Sequence, residues 1–130
     1  MIASLPTVST AELKKRLQHI VGERSPFSSP RQLAAVENYI EKGFESYGLS
    51  VESDTFTYWG RSYRNVIGRA GPARNGPLII LGAHYDSVEG SPGADDNGSG
   101  VGLEQALDIR FGAQVELLMA GNIHKCTLRL

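Results

Sequence analysis

Residues 77–102 constrain the fold more than any other stretch, because they combine an apolar strand, candidate metal ligands and a helix start in one run. The run begins with the short apolar segment 78–81, which predicts a strand covered on both faces. In open α/β sheets, ligands bind in the crevice beyond the carboxyl ends of the strands. The run therefore predicts an α/β fold with a site at that edge of the sheet.

Three side chains in this run are candidate site residues, namely His84, Asp86 and Asp96. Asp86 lies two positions after His84, so the two side chains point to the same side of an extended strand. The Asp86 carboxylate can then hold one ring nitrogen of His84 and leave the other free for a metal. Asp96 follows in an acidic, glycine-rich loop, where a carboxylate taken alone would be an ordinary turn residue. The His-x-Asp spacing favours a metal site over a purely structural histidine.

Two other interpretations of the acidic loop lack residues that they require. Asp95, Asn97 and Ser99 fall on positions one, three and five of an EF-hand calcium loop, but Ala106 stands where that loop needs a bidentate Glu. A phosphate-binding loop is excluded because the P-loop Lys is missing and two carboxylates would face the anion. A site formed by imidazole and carboxylate is the interpretation that remains.

The run GAHYDSV, followed after a short gap by PGADDNGSGV, resembles the zinc-binding core of the M28 family of metallopeptidases, which consists mainly of aminopeptidases. The resemblance implies that His84 ligates one zinc and that Asp96 bridges the two zincs of the complete site. It also implies that Asp86 belongs to the catalytic apparatus as the residue that orients His84, and that the peptide bond between Asp96 and Asn97 is cis. Over residues 11–107 it implies a three-layer αβα sandwich with a mixed central sheet.

The implied activity is zinc-dependent hydrolysis of N-terminal residues from a peptide substrate. The family's general-base Glu, neighbouring Glu ligand, later Asp ligand and late His ligand have no matching positions, and His124 lies in the wrong context to replace them. We therefore expect residues 1–130 to form a single, incomplete M28-type domain, truncated after the first metal-binding loop and the following helix. Such a chain would be inactive alone and would bind zinc weakly or not at all. A glutaminyl cyclase or carboxypeptidase relative, and a non-catalytic interaction module on the same scaffold, remain open alternatives.

Composition excludes several other classes of function. A chain of 130 residues with 41% hydrophobic residues allows one modest domain with a core. The formal net charge of −1, with both signs interspersed, provides no electrostatic basis for binding nucleic acid or an anionic membrane. No segment has the apolar length that spans a bilayer, and residues 1–8 lack the features of a secretory signal. The single Cys126 excludes an internal disulfide.

Capping signals and hydrophobic periodicity predict the scaffold around the site. Ser9 or Thr10 caps a first helix, and Ser29 caps a second helix with Pro30 in its first position. Gly48 ends the second helix. The predicted elements are helices over 9–21 and 30–47, strands over 49–59 and 63–70, a helix face after Gly100, either a helical turn or a strand over 114–119, and the start of a strand over 125–130.

Overall fold

The structure, a computed structural model, describes residues 9–70, 78–106 and 114–120, with side chains omitted at 78, 103–106 and 114–120. The described elements, in chain order, are α1 Thr10–Ile20, α2 Pro30–Ser46, β1 Ser50–Tyr58, β2 Arg61–Ala70, β3 Leu78–His84, a tight turn Ala94–Gly98, α3 Ser99–Ala106 and β4 Gln114–Ala120. The expectations for residues 1–8 and 125–130 lie outside the described residues. None of the described helices has the length and apolar character needed to cross a membrane.

The two N-terminal helices begin where the capping signals predict. The Ser9 hydroxyl accepts a hydrogen bond from the Glu12 N–H at 3.1 Å, which stabilises the first turn of α1. α2 begins at Pro30, but the prediction that the Ser29 side chain caps it is wrong. The Ser29 hydroxyl instead accepts from the Ser25 N–H at 2.7 Å, within the preceding loop. Proline at the first helical position has no N–H to satisfy, so α2 begins without that cap.

Four strands form one mixed sheet in the order β1-β2-β4-β3. β1 pairs antiparallel with β2, and β2 pairs antiparallel with β4. β3 runs parallel to β4, and the register places His84 beside Ala120. These pairings confirm the α/β class with a mixed sheet, and they resolve the open choice at 114–119 in favour of a strand.

The helices pack on the sheet and on one another. α2 contacts β1 and β2, α3 contacts β3, and α1 contacts both other helices. Phe44 of α2 packs so closely on β2 that a Cβ added to Gly68 would lie 2.8 Å from its ring. The buried apolar side chains are Ile20, Leu33, Val36, Ile40, Phe44, Tyr63, Val66, Ala83, Tyr85 and Val101.

The prediction that the apolar strand is covered on both faces is wrong for the described residues. The Ile79 side chain is 43% exposed, so the face of β3 that carries it is open to solvent near the start of the strand. Further along the strand Ala83 is buried, and so is Tyr85 just beyond its end. Apolar composition alone does not show how far each face of a strand is covered, because partly and fully covered strands both carry branched side chains.

Candidate metal centre

His84 ends β3 and begins the candidate site at the carboxyl edge of the sheet. Its Nδ1 lies 3.1 Å from Oδ1 of Asp86, which is buried with 4% exposure. The hydrogen bond with Asp86 is the main cause that raises the pKa of His84, and the smaller contribution of Asp96 has the same sign. A histidine whose Nδ1–H is held by a carboxylate has the lone pair of Nε2 available for a metal ion. Asp86 therefore orients the ring of His84 and favours the tautomer that carries the proton on Nδ1.

Asp96, on the acidic loop, lies beside the Nε2 edge of the His84 ring. Its Oδ1 is 3.0 Å from Nε2 of His84, and its side chain is 82% exposed. Two atoms that bind one tetrahedral zinc at about 2.0–2.2 Å are roughly 3.3 Å apart. The observed separation is close to that value, so one imidazole nitrogen and one carboxylate oxygen can both reach a common ion. This donor pair is of the kind that zinc prefers.

The loop that carries Asp96 has an unusual backbone. The peptide bond between Asp96 and Asn97 is cis, as the family resemblance implied. Gly93 opens the turn with φ +56°, a left-handed conformation that glycine adopts without steric cost. The Gly98 N–H donates to the Gly93 carbonyl at 3.0 Å and closes the turn. The Gly100 N–H then donates to the Asn97 side chain at 3.1 Å, where α3 begins.

Tyr85 lies between His84 and Asp86, and it anchors this edge of the sheet to α2. Its hydroxyl lies 2.5 Å from Oε2 of Glu37 and 2.8 Å from the Arg64 carbonyl oxygen. Glu37 also accepts from Nε of Arg64 at 2.6 Å. Burial is the main cause that raises the pKa of Tyr85, so the hydroxyl stays protonated and acts as a donor.

Sequence reasoning missed this anchor and also missed Arg24, a buried residue behind the acidic loop. Alternation along the strand was the only available signal for Tyr85, because a residue between His84 and Asp86 points away from both. For Arg24 there was no local signal, since its Ser- and Pro-rich surroundings predict an exposed loop.

Within residues 9–70, 78–106 and 114–120, no group of three or more His, Cys, Asp or Glu side chains is arranged to hold a metal ion. The structure brings together His84, Asp86 and Asp96, whereas Asp95 is exposed on the loop. His124 lies outside the described residues. The described site therefore consists of two candidate ligands and one carboxylate that orients the first of them.

Solved structures that are similar in fold include a zinc-dependent exopeptidase and a glutaminyl cyclase. A zinc-dependent exopeptidase from Parabacteroides distasonis ATCC 8503 has a TM-score of 0.68 and 20% identity, covering 98% of this chain and 53% of that one. A glutaminyl cyclase from Macrostomum lignano has a TM-score of 0.73 and 24% identity, covering 87% of this chain and 38% of that one. At these identities the likeness shows the fold. The chain thus has the α/β fold that zinc exopeptidases and glutaminyl cyclases share.

Sequence comparison relates part of the chain to one family of peptidases. The family model for Peptidase family M28 matches residues 65–110, which include every candidate site residue. Uncharacterized protein YfbL of Escherichia coli (strain K12) is 35% identical over 114 residues, which is 77% of this chain and 35% of the relative. Leucine aminopeptidase 1 of Aspergillus clavatus is 32% identical over 116 residues, which is 77% of this chain and 29% of the relative. Residues 65–110 thus match peptidase family M28, and the chain spans about a third of the length of these relatives.

Proposed function

We propose that this chain is the first, metal-binding part of the catalytic domain of a zinc aminopeptidase that removes N-terminal residues from peptides. The single observation that carries the proposal is the 3.0 Å approach of His84 Nε2 to Asp96 Oδ1 while Asp86 holds Nδ1. The names of the aminopeptidase relatives support the choice of reaction.

In this proposal His84 and Asp96 hold zinc and Asp86 positions His84. A carboxylate has two oxygens, so Asp96 has the donor atoms that a bridging residue of a two-zinc site would need. The buried Asp86 accepts a hydrogen bond from Nδ1–H and keeps the Nε2 lone pair directed at the metal position. When bound, zinc polarises the scissile carbonyl and lowers the pKa of a water molecule. The remaining ligands and the general base would come from residues beyond the described ones.

Calorimetric titration of the chain with zinc tests the ligand assignment. A catalytic zinc normally takes three protein ligands, so two ligands should give weak binding to the wild-type chain. We expect His84→Ala and Asp96→Asn to abolish this binding. Asp95→Asn is the matched control, because it removes the same charge from the neighbouring exposed position and should bind zinc as the wild type does. Equal loss in the control would attribute the binding to loop charge rather than to the two ligands.

The reaction itself is tested on the longer protein that we propose to contain this chain. We expect release of the anilide from aminoacyl anilides, and we expect a chelator to stop it and added zinc to restore it. Activity that persists unchanged after zinc has been removed would contradict the proposal.

Two alternatives have their own support. The fold likeness to glutaminyl cyclases favours cyclisation of an N-terminal glutaminyl residue, and a glutaminyl peptide substrate distinguishes the two reactions by their products. A non-catalytic interaction module is favoured by the absence of a three-ligand group among the described residues. Tight zinc uptake by the longer protein, in stoichiometric amounts, would contradict that alternative.

A further inference from the structure

We propose that Arg24 is a positioning residue for the candidate metal centre, which it serves by holding the start of the acidic loop against the strand that ends in His84. The inference rests on the proposed function, because it takes His84 and Asp96 as the metal ligands. Arg24 does not contact the metal position itself. It lies in the loop between α1 and α2, sixty residues before His84, and is fully buried.

The guanidinium group of Arg24 lies within hydrogen-bond distance of five backbone carbonyl oxygens, three of which share the two hydrogens of Nη1. Nε donates to Tyr85, the residue after His84, at 2.7 Å. Nη2 donates to Gly93 at 2.9 Å, and Nη1 donates to Pro92 at 2.9 Å. Nη1 also lies 2.8 Å from the carbonyl oxygens of Ile20 and Gly22, at the end of α1. One side chain thus joins the end of α1, the end of β3 and the start of the acidic loop.

The bond to Gly93 connects Arg24 directly to the turn that contains Asp96. The Gly93 carbonyl accepts from Nη2 of Arg24 and also from the Gly98 N–H at 3.0 Å, which closes the turn around Asp96. There is little free space around this junction. A Cβ added at Gly93 would lie 2.5 Å from Nη2 of Arg24 and 3.0 Å from the Asp96 carbonyl oxygen. The guanidinium therefore defines where the turn sits.

The backbone of Arg24 is itself fixed to the other side of the site. Its N–H donates to the Ser87 hydroxyl at 2.8 Å, and its carbonyl accepts from the Ser87 N–H at 3.2 Å. Ser87 directly follows Asp86. This pair of bonds therefore fixes the backbone of Arg24 relative to the end of β3, while the side chain of Arg24 bonds to the loop. The distance between His84 and Asp96 is then set through Arg24 from both sides.

Arginine suits this position better than any other side chain. Its planar group carries five donors in a fixed geometry, whereas lysine offers three donors on a flexible stem. Burial lowers the pKa of Arg24, but arginine stays charged at any physiological pH. A buried charge is costly unless it is hydrogen-bonded, and carbonyl oxygens at the end of α1 carry the favourable sign of the helix dipole. The arrangement thus satisfies a buried cation through backbone groups of three segments.

The test compares Arg24→Met and Arg24→Lys with Phe44→Leu, a control that weakens the α2–sheet core without touching the loop. The first readout is amide hydrogen exchange at Gly98, whose N–H bonds to the Gly93 carbonyl. We expect Arg24→Met to raise the exchange rate at Gly98 by more than tenfold relative to the control, and Arg24→Lys to give an intermediate rate. The second readout is zinc affinity. Loss of a residue that orients a metal ligand without touching the metal typically lowers metal affinity by about 10–100-fold.

The outcomes separate this inference from the proposed function. If the wild type binds no zinc in the chain or in the longer protein, the metal proposal fails, and Gly98 exchange still tests whether Arg24 holds the loop. If Gly98 exchange in the Arg24 variants equals that in Phe44→Leu, the inference is overturned even where zinc binds. Should Arg24→Met fail to fold, Arg24→Lys decides: an exchange rate at Gly98 no faster than in the control would overturn the inference.

Discussion

Alanine at Gly93 is the most direct perturbation of the loop that carries the candidate ligand. Gly93 has φ +56°, and an added Cβ would lie 2.5 Å from Nη2 of Arg24 and 2.7 Å from the Ser87 Cβ. Gly90, three residues earlier, has φ +77° and nothing within 4 Å of an added Cβ. The pair Gly93→Ala and Gly90→Ala therefore shares the backbone penalty and differs in steric contact.

The structure allows the size of each effect to be worked out. A left-handed backbone costs a residue with a Cβ about 1–2 kcal/mol, which applies at both positions. Overpacking into a filled space adds typically about 1–3 kcal/mol, which applies only at Gly93. We expect Gly90→Ala to lower the free energy of unfolding by about 1–2 kcal/mol and Gly93→Ala to lower it by about 2–5 kcal/mol.

Urea denaturation followed by far-UV circular dichroism measures both free energies, with the difference between the two variants as the deciding quantity. A difference of more than about 1 kcal/mol supports the close packing of the loop on Arg24. Equal free energies of unfolding for the two variants would refute it, because the backbone penalty would then account for the whole effect.

Three further outcomes follow from other contacts. Tyr85→Phe leaves Glu37 without the hydroxyl and should lower the free energy of unfolding by about 1–3 kcal/mol in urea denaturation, whereas no loss would mean that this hydrogen bond contributes nothing. The hydrogen bond from Arg64 lowers the pKa of Glu41, so this group adds stability above its ordinary pKa of about 4.3 and loses it as the pH falls through the lowered value. Glu41→Gln should accordingly reduce the drop in urea midpoint between about pH 6 and about pH 3, and an unchanged drop would contradict the pairing. Trp59, the single tryptophan, is 79% exposed, so its fluorescence maximum should shift little on unfolding, and a large shift would show that it is buried in solution.

The features that could be predicted from the sequence are those determined by neighbouring residues. The Ser9 cap depends on a bond across three positions, and the pairing of His84 with Asp86 depends on a spacing of two. Both follow from local geometry that every helix or strand shares. The resemblance to family M28 added the convergence of His84 with Asp96, which local geometry alone does not predict because the two residues are twelve positions apart.

The features that could not be predicted depend on distant partners. Arg24 and Tyr85 owe their roles to residues between 21 and 69 positions away, and no local pattern signals such contacts. The position of β3 at the edge of the described sheet depends on which strand pairs with it, and the apolar segment reads the same in either place. Ser29 has the right position for a cap, but its hydroxyl accepts a hydrogen bond from the Ser25 N–H in the preceding loop instead.

The backbone bonds of Arg24 also bear on how the site assembles. His84, Asp86 and Asp96 all lie within a short peptide. The guanidinium that joins the end of β3 to the acidic loop belongs to Arg24, in the first quarter of the chain. Such a junction forms only after a long loop of chain has closed, and closing it carries an entropic cost. An excised peptide spanning β3 and the turn would carry every residue of the motif and still lack a preorganised site, so the motif is not a transplantable unit.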